Sequence, residues 1–370
     1  MASPSVIVVG AGVIGCTVAY ELAKAGARVQ VLEPRAPGQG ATRASAGVLC
    51  PYIEGHEEKL RDLGARSLEL YDGFIDRLRA DSGHDIVYQR NGTLELAFSE
   101  ADVARLTAQS GLLAKQRVAC AWEKPAAFEH LEPLASRRAL GGLLIPIHGL
   151  VGVTSLTLAA AAAAEKSGAR FTNDVGAIRI HSLPGNRVGV QTASSMWDAD
   201  HVVLAAGSWS SQITVQDADP VPVKPIRGQL IQFATNPGDI RRVLWGPNGY
   251  VVPWPDGTVL VGATIEDVGF DESHTEDAVR QLRTAAAELV PSLADAPMTS
   301  VRTGLRPRGP DDLPMLGPSR AVPGLFYATA HYRNGVLLAP LTVQLIRDLV
   351  LDGPVDPALR DLDPARHGRM

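Results

Sequence analysis

The stretch from Val6 to Glu33 leaves this chain few choices of fold. It reads VIVVGAGVIGCTVAYELAKAGARVQVLE. Val6 to Val9 is a short apolar, β-branched run of the kind that forms a buried parallel strand. Gly10, Gly12 and Gly15 follow at once as G-x-G-x-x-G, with Val13 and Ile14 inside the motif. Cys16 to Ala25 carries apolar residues at helical spacing and stops at Gly26, and Arg28 to Leu32 is a second strand ending on Glu33. Gly10 allows the tight strand-to-helix turn. Gly12 lets backbone approach a pyrophosphate at the helix N-terminus, where free N–H groups and the helix dipole favour an anion. Gly15 lets helix and strand pack closely. Glu33 stands about 20 residues on, where a carboxylate accepts hydrogen bonds from ribose hydroxyls. A bare glycine motif would fit any tight turn beside a surface glutamate. The strand before it, the helix after it and the placed acid make this a dinucleotide-binding unit.

At 370 residues the chain is long enough for two domains and a full core. The net charge of −5 gives no basic footprint, so neither nucleic acid nor an anionic membrane is an expected partner. The pairs Arg137-Arg138 and Arg241-Arg242 read as solvated. Cys16, Cys50 and Cys120 are too few and too scattered for a disulfide framework or a zinc site, and no metal is expected. Cys16 reads as a small buried residue. The cysteine usage fits a reducing compartment, and no leader or membrane-length apolar run is visible, so the expected location is cytoplasmic.

After Glu33 and Pro34 the chain is rich in small residues. Ala41-Thr42 and Ala46-Gly47-Val48 resemble backbone laid along a cofactor, where side chains must be small. Glu57 to Leu78 is an amphipathic helix. Two strand-like runs flank Asn91-Gly92 and predict a hairpin. The alanine-rich segment Ala159 to Ala164 reads as a helix packed on a sheet, capped by Thr154 or Ser155. Val175 follows a strand and suits either an adenine contact or the core. A second passage from strand to loop ends in Ala206-Gly207-Ser208-Trp209. His56 and His148 have no partner at ligand spacing and read as structural. The tail after Asp352-Gly353-Pro354 reads as frayed. Nucleotide-binding segments therefore fall at the start, middle and end of the chain, with strand-rich insertions between them.

The last third of the chain narrows the choice. Thr303-Gly304-Leu305-Arg306-Pro307, Leu313-Pro314-Met315-Leu316-Gly317 and His331-Tyr332-Arg333-Asn334-Gly335-Val336-Leu337-Leu338-Ala339-Pro340 resemble the D-amino-acid oxidase superfamily. Within it they are most similar to the glycine oxidases of thiamine biosynthesis. The strand pair Gly249 to Thr264 agrees, and the likeness runs over essentially the whole chain. It implies an α/β fold: a Rossmann-like FAD-binding domain of the D-amino-acid oxidase type, interleaved with an antiparallel-sheet α+β substrate domain. The expected boundaries are 1–84, 150–215 and 305–370 for the first, and 85–149 and 216–304 for the second. The resemblance also implies non-covalent FAD, contacted by the glycine motif, Glu33-Pro34, Ala41-Thr42, Ala46 to Val48, Val175, Ala206-Gly207, Trp209 and the His331 to Leu337 loop. It implies oxidation of glycine, sarcosine or small D-amino acids. The product is an imine that is hydrolysed or captured for thiazole assembly, with dioxygen reduced to hydrogen peroxide. A homo-oligomer, dimer or tetramer, is expected.

Removing a hydride from an amino acid α-carbon requires a fixed anchor for the carboxylate. An arginine fork supplies one through two parallel hydrogen bonds. The resemblance gives that role to Arg306, with Arg333 close by, Tyr250 over the substrate and Ile265 shaping the pocket. A structural salt bridge for Arg306, a loop brace for Arg333 and simple strand packing for Tyr250 are the alternatives. His331 is expected to serve through its main chain rather than as a base. Arg308 with Gly309 to Asp312, and Trp254 with Gly246 to Asn248, depart from the family pattern around the presumed pocket rim. Other readings are an FAD dehydrogenase of D-amino acids or sarcosine using another electron acceptor, a nucleotide-binding module without turnover, and an NAD enzyme.

Overall fold

The structure is a computed structural model that describes residues 3–53, 57–236 and 238–370; His56 lies outside the described residues. The opening unit is as expected. The strand Ser5–Val9 leads into the helix Val13–Lys24, and the strand Arg28–Leu32 returns parallel to the first. Gly10 has φ 106°, a left-handed value that suits glycine. A β-carbon on Gly15 would lie 1.9 Å from the Gly10 carbonyl oxygen, so helix and turn approach as closely as backbone permits.

Six strands form the sheet around this unit, in the order Met315–Pro318, Leu325–Thr329, His201–Leu204, Ser5–Val9, Arg28–Leu32, Arg170–Thr172. All neighbours are parallel except the first two. One face is covered by the helices Val13–Lys24, Val153–Lys166, Glu58–Ser82 and Gly335–Val350, which share a single apolar core. The other face packs on a four-stranded sheet that includes Arg179–Leu183 and Arg187–Gln191.

The second layer is an eight-stranded sheet, antiparallel except where Val243–Gly246 runs beside Thr93–Ala97. The helix Glu276–Leu289 packs on it, its first turn capped by the Thr275 side chain accepting from the Ala278 N–H. The long strands Lys224–Ala234 and Met298–Arg308 pair along their lengths at its edge, and the end of the latter reaches the mouth of the six-stranded sheet.

The closing helix Gly335–Val350 contains Pro340. A proline cannot donate to the carbonyl four residues back, here that of Val336. The neighbouring helix repairs this. The buried Tyr71 hydroxyl donates to the Val336 carbonyl, and Ser67 Oγ accepts from the Leu341 N–H at 3.2 Å.

Several expectations are corrected. Asn91-Gly92 makes no hairpin: Tyr88–Gln89 pairs with Gly149–Val151 in a small sheet, whereas Thr93–Ala97 enters the eight-stranded one. The turn hands the chain between sheets, with Asn91 Nδ2 fixed on the Arg241 carbonyl at 2.7 Å. The alanine-rich helix starts after Gly152, and Ser155 Oγ donates to the Gly152 carbonyl rather than capping an N–H. Its alanines pack mainly against other helices, where small side chains allow close approach. Arg242 is not solvated but pairs with the buried Glu132 at 3.1 Å, and the Arg241 N–H donates to the same carboxylate. The tail is docked: Met370 is fully buried, and Arg366 meets Asp311 at 2.7 Å.

Candidate active site

A cavity of about 640 Å³ opens between the two large sheets. Its near end is the first strand–helix turn, lined by Gly10, Gly12, Val13, Ile14, Glu33 and Pro34. Glu33 caps this end of the turn, with Oε2 accepting from the Ala11 N–H at 2.7 Å and Oε1 from the Arg35 N–H at 2.9 Å. Ala41, Thr42, Ala46, Gly47 and Val48 form a wall of small residues, and Val175, Ala206, Gly207 and Trp209 the opposite one. Val175 is also buried in the core beneath this wall. A β-carbon on Gly40 would approach the Trp209 ring to 3.1 Å, which ties these walls to one spacing.

The far end holds His331, Tyr332, Arg333 and Asn334, and the first turn of the closing helix, Gly335, Val336 and Leu337. The first N–H groups of a helix have no partner within it and offer positive ends to an electron-rich group. His331 is buried and its Nε2 lies 3.0 Å from Thr342 Oγ1. Burial pulls its pKa down to about 3, so the ring is neutral at pH 7. Arg306, Tyr250 and Ile265 complete the lining from the eight-stranded sheet. Every residue expected to contact cofactor or substrate lines this cavity except Gly15, which packs behind the turn.

Arg306 is held from behind. Its Nη1 donates to the Thr264 carbonyl at 2.9 Å, and among the described residues no carboxylate pairs with it. Thr264 is itself braced. Its Oγ1 accepts from the Gln229 N–H at 2.9 Å and donates to Glu266 Oε1 at 2.5 Å. Glu266 also accepts from Gln229 Nε2 at 2.8 Å and from Arg227 Nη2 at 2.5 Å. Burial pushes the Glu266 carboxyl up, but hydrogen bonds from Thr264, Arg227 and Gln229 outweigh it and hold the pKa below the usual value. Gln229 continues the chain of contacts, its Oε1 accepting from the Thr275 N–H at 2.8 Å. None of this brace was legible in the sequence, because its members alternate with apolar residues as in any strand.

Trp245 is a second addition. It lines the cavity with its ring 4.6 Å from that of Tyr250 and comes from the strand Val243–Gly246, which carries no sequence signal of its own. The two departures from the family pattern lie elsewhere. Arg308 pairs with Asp312 at 2.6 Å and sits over the outer face of Tyr332, while Asn248 bonds Glu288 at 2.8 Å. Neither Arg308 nor Trp254 lines the cavity.

The lining fits a dinucleotide carrying a ring system: small residues at the turn, a carboxylate at one end, a helix N-terminus and a held cation at the other. Among the described residues no cluster of acids, histidines or cysteines is arranged to hold a metal, and no helix is long and apolar enough to cross a membrane.

Comparison with known proteins agrees with this geometry. The family model for FAD-dependent oxidoreductases of the DAO type matches residues 5–349. The chain is 32% identical to the glycine oxidase of Pseudomonas aeruginosa, over 96% of this chain and 98% of that one. It is 34% identical to the bifunctional protein ThiO/ThiG of Nostoc sp. over 96% of its own length, and spans only 54% of that longer relative. The crystal structure of glycine oxidase from Geobacillus kaustophilus superposes with a TM-score of 0.93 at 30% identity, covering 99% of this chain and 100% of that one. The chain thus belongs to the DAO family of FAD-dependent oxidoreductases, and FAD is the group its cavity is built to hold.

Proposed function

We infer that this protein oxidises glycine and other small amines bearing a carboxylate, and that Arg306 is the anchor that orients them. The observation that carries this is the Arg306 guanidinium, fixed to the Thr264 carbonyl on the wall of the FAD cavity with no acidic partner among the described residues. A cation held in place without a protein anion suits a carboxylate delivered by the substrate. Arg333 and Tyr250 line the same end and are read as further contacts to that carboxylate, with Ile265 and Trp245 limiting the size of the α-substituent. Gly10, Gly12, Val13, Ile14 and Glu33 would hold the adenosine diphosphate portion of FAD, and the His331 to Leu337 loop the ring. When bound, FAD would supply a two-electron acceptor for the α-hydrogen as hydride, with dioxygen as the final oxidant.

The residues of the chain account for the rest. Arg306 aligns the Cα–H bond, the aromatic wall of Trp245 and Tyr250 excludes water from it, and the N–H groups at the start of the closing helix favour negative charge at the ring. No protein base is needed if the amine arrives neutral, and His331, neutral and bonded to Thr342, is left out of proton transfer. The products are an imine and hydrogen peroxide; free imine hydrolyses to the 2-oxo acid and ammonia, or to the corresponding amine where the nitrogen is substituted. The fused ThiO/ThiG relatives support a role in supplying that imine for thiazole assembly. The division into FAD-binding and substrate portions, at the boundaries given above, is supported by the two large sheets, with Met298–Arg308 straddling the last boundary. We place the protein in the cytoplasm as a dimer or tetramer, which sedimentation would check.

The test is anaerobic mixing of the yellow protein with glycine, sarcosine and D-proline, followed by air. Bleaching by these amines and rapid recolouring with peroxide are expected. Bleaching with slow recolouring would assign another electron acceptor, and no bleaching by any of them would overturn the substrate class. Arg306→Ala should retain flavin and lose about 3 kcal/mol or more of transition-state binding, read as kcat/KM for glycine. Unchanged kcat/KM would remove the anchor role.

A further inference from the structure

An arginine on a strand has four side-chain torsions, and strand geometry alone does not decide where its guanidinium points. In this protein a glycine helps to decide it. The strands Lys224–Ala234 and Met298–Arg308 pair with Ile226 opposite Arg306 and Gly228 opposite Gly304. Gly228 is therefore the diagonal neighbour of Arg306 on the same face of the sheet. A β-carbon on Gly228 would lie 2.3 Å from each of Cζ, Nη1 and Nη2 of Arg306. The guanidinium lies on the bare backbone of Gly228, in the volume that any other side chain would fill, while its Nη1 meets the Thr264 carbonyl.

We propose that Gly228 is a positioning residue: the missing side chain sets the direction of Arg306, and so the place where the substrate carboxylate is held. This rests on the reading of Arg306 as the anchor. Gly228 is not demanded by the chain itself, because its φ lies outside the left-handed region and its backbone accepts alanine without strain. The three nearest atoms such a side chain would meet are all at the flexible end of Arg306. Alanine therefore displaces the guanidinium rather than the sheet. Gly304, its partner across the strands, differs. A β-carbon there would meet Ala44 Cβ at 2.6 Å and the Ala41 backbone at 3.2 Å, so that glycine serves the packing of the cofactor wall. Gly262 repeats the pattern under Tyr250, where a β-carbon would lie 2.6 Å from the phenol oxygen. Arg306 and Tyr250 thus each rest on the bare backbone of a glycine.

The experiment uses the FAD-loaded enzyme and two readouts: the flavin spectrum titrated with glycolate, a small carboxylate without an amine, and steady-state oxidation of glycine. Gly228→Ala should keep its flavin and melting temperature, raise the glycolate Kd and glycine KM about ten- to a hundredfold, and lower kcat far less. In an Arg306→Ala background the same substitution should change neither constant further, since Gly228 acts only through Arg306. Unchanged Kd and KM in Gly228→Ala would overturn the proposal, and so would an equal loss in the Arg306→Ala background. If Gly228→Ala fails to fold or to keep flavin, recovery of both in Gly228→Ala/Arg306→Ala would support the same steric conflict, and failure in both would overturn it. Arg306→Ala alone separates the two ideas: intact glycolate binding there means that the anchor reading itself is wrong.

Discussion

His148 and His331 are buried, and burial lowers the pKa of each to about 3, with the Arg90 charge adding to the effect at His148. His148 shares a 2.7 Å hydrogen bond with Thr93 Oγ1 and stacks on Tyr52. Both rings are neutral in the folded protein, whereas an unfolded histidine takes up a proton below about pH 6.5. The unfolded state then binds more protons, so their contribution to stability is complete above pH 6.5 and is lost as pH falls toward 3. The loss is about 1.4 kcal/mol per pH unit for each ring. Melting temperature should therefore drop between pH 7 and pH 5, and His148→Asn should flatten that slope. An unchanged slope would show that His148 is protonated when folded. Glu95 and Glu132, their carboxyls raised by burial, act with the opposite sign, their effect growing as pH rises above the usual carboxylate range.

The closing helix is the element on which the far end of the cavity depends, and it survives Pro340 only with help from its neighbour. Tyr71 satisfies the Val336 carbonyl, and Val336 lines the far end of the cavity. Tyr71→Phe keeps the packing but leaves that carbonyl without a donor, at a cost of about 1–3 kcal/mol. A lowered melting temperature is expected, with faster loss of flavin on dilution. No change in either would mean that water replaces the hydroxyl. The sequence displays both the proline and the tyrosine, but about 270 residues part them, and nothing local couples the two. The missing hairpin at Asn91-Gly92 makes the same point. Turn chemistry fixes the bend, while the strands that receive the two arms come from Gly149–Val151 and Gly141–Ile145.

For the whole molecule, the cavity lies between the two large sheets and is lined from both, so FAD bound there would contact each layer. A ligand that binds only the folded state stabilises it by RT ln(1 + [L]/Kd), about 2.7 kcal/mol at a hundredfold excess over Kd. Flavin-free protein should melt lower than the holoenzyme, and its melting temperature should climb with added FAD. A melting temperature independent of FAD would mean that the two layers hold together without it. The Arg35–Glu272 pair at 2.7 Å, with Arg35 over the Trp209 ring and Phe270 beside that ring, is a protein contact spanning the same gap.

The opening strand–helix–strand unit of this protein was determined almost wholly by its sequence. A strand, three glycines, a helix and an acid are contiguous, their geometry is local, and a phosphate-binding turn tolerates few alternatives. That Arg306, Tyr250 and Ile265 would line one cavity was also legible, through the family resemblance carried by short motifs. Only the tertiary structure decided how Arg306 is aimed. That depends on Gly228 lying diagonal to it and on Thr264 being held by Gln229 and Glu266, contacts set by the register of three strands far apart in the chain. Register is fixed by the burial of whole faces rather than by any residue alone, and a pattern of alternating residues does not reveal which strand will lie beside which.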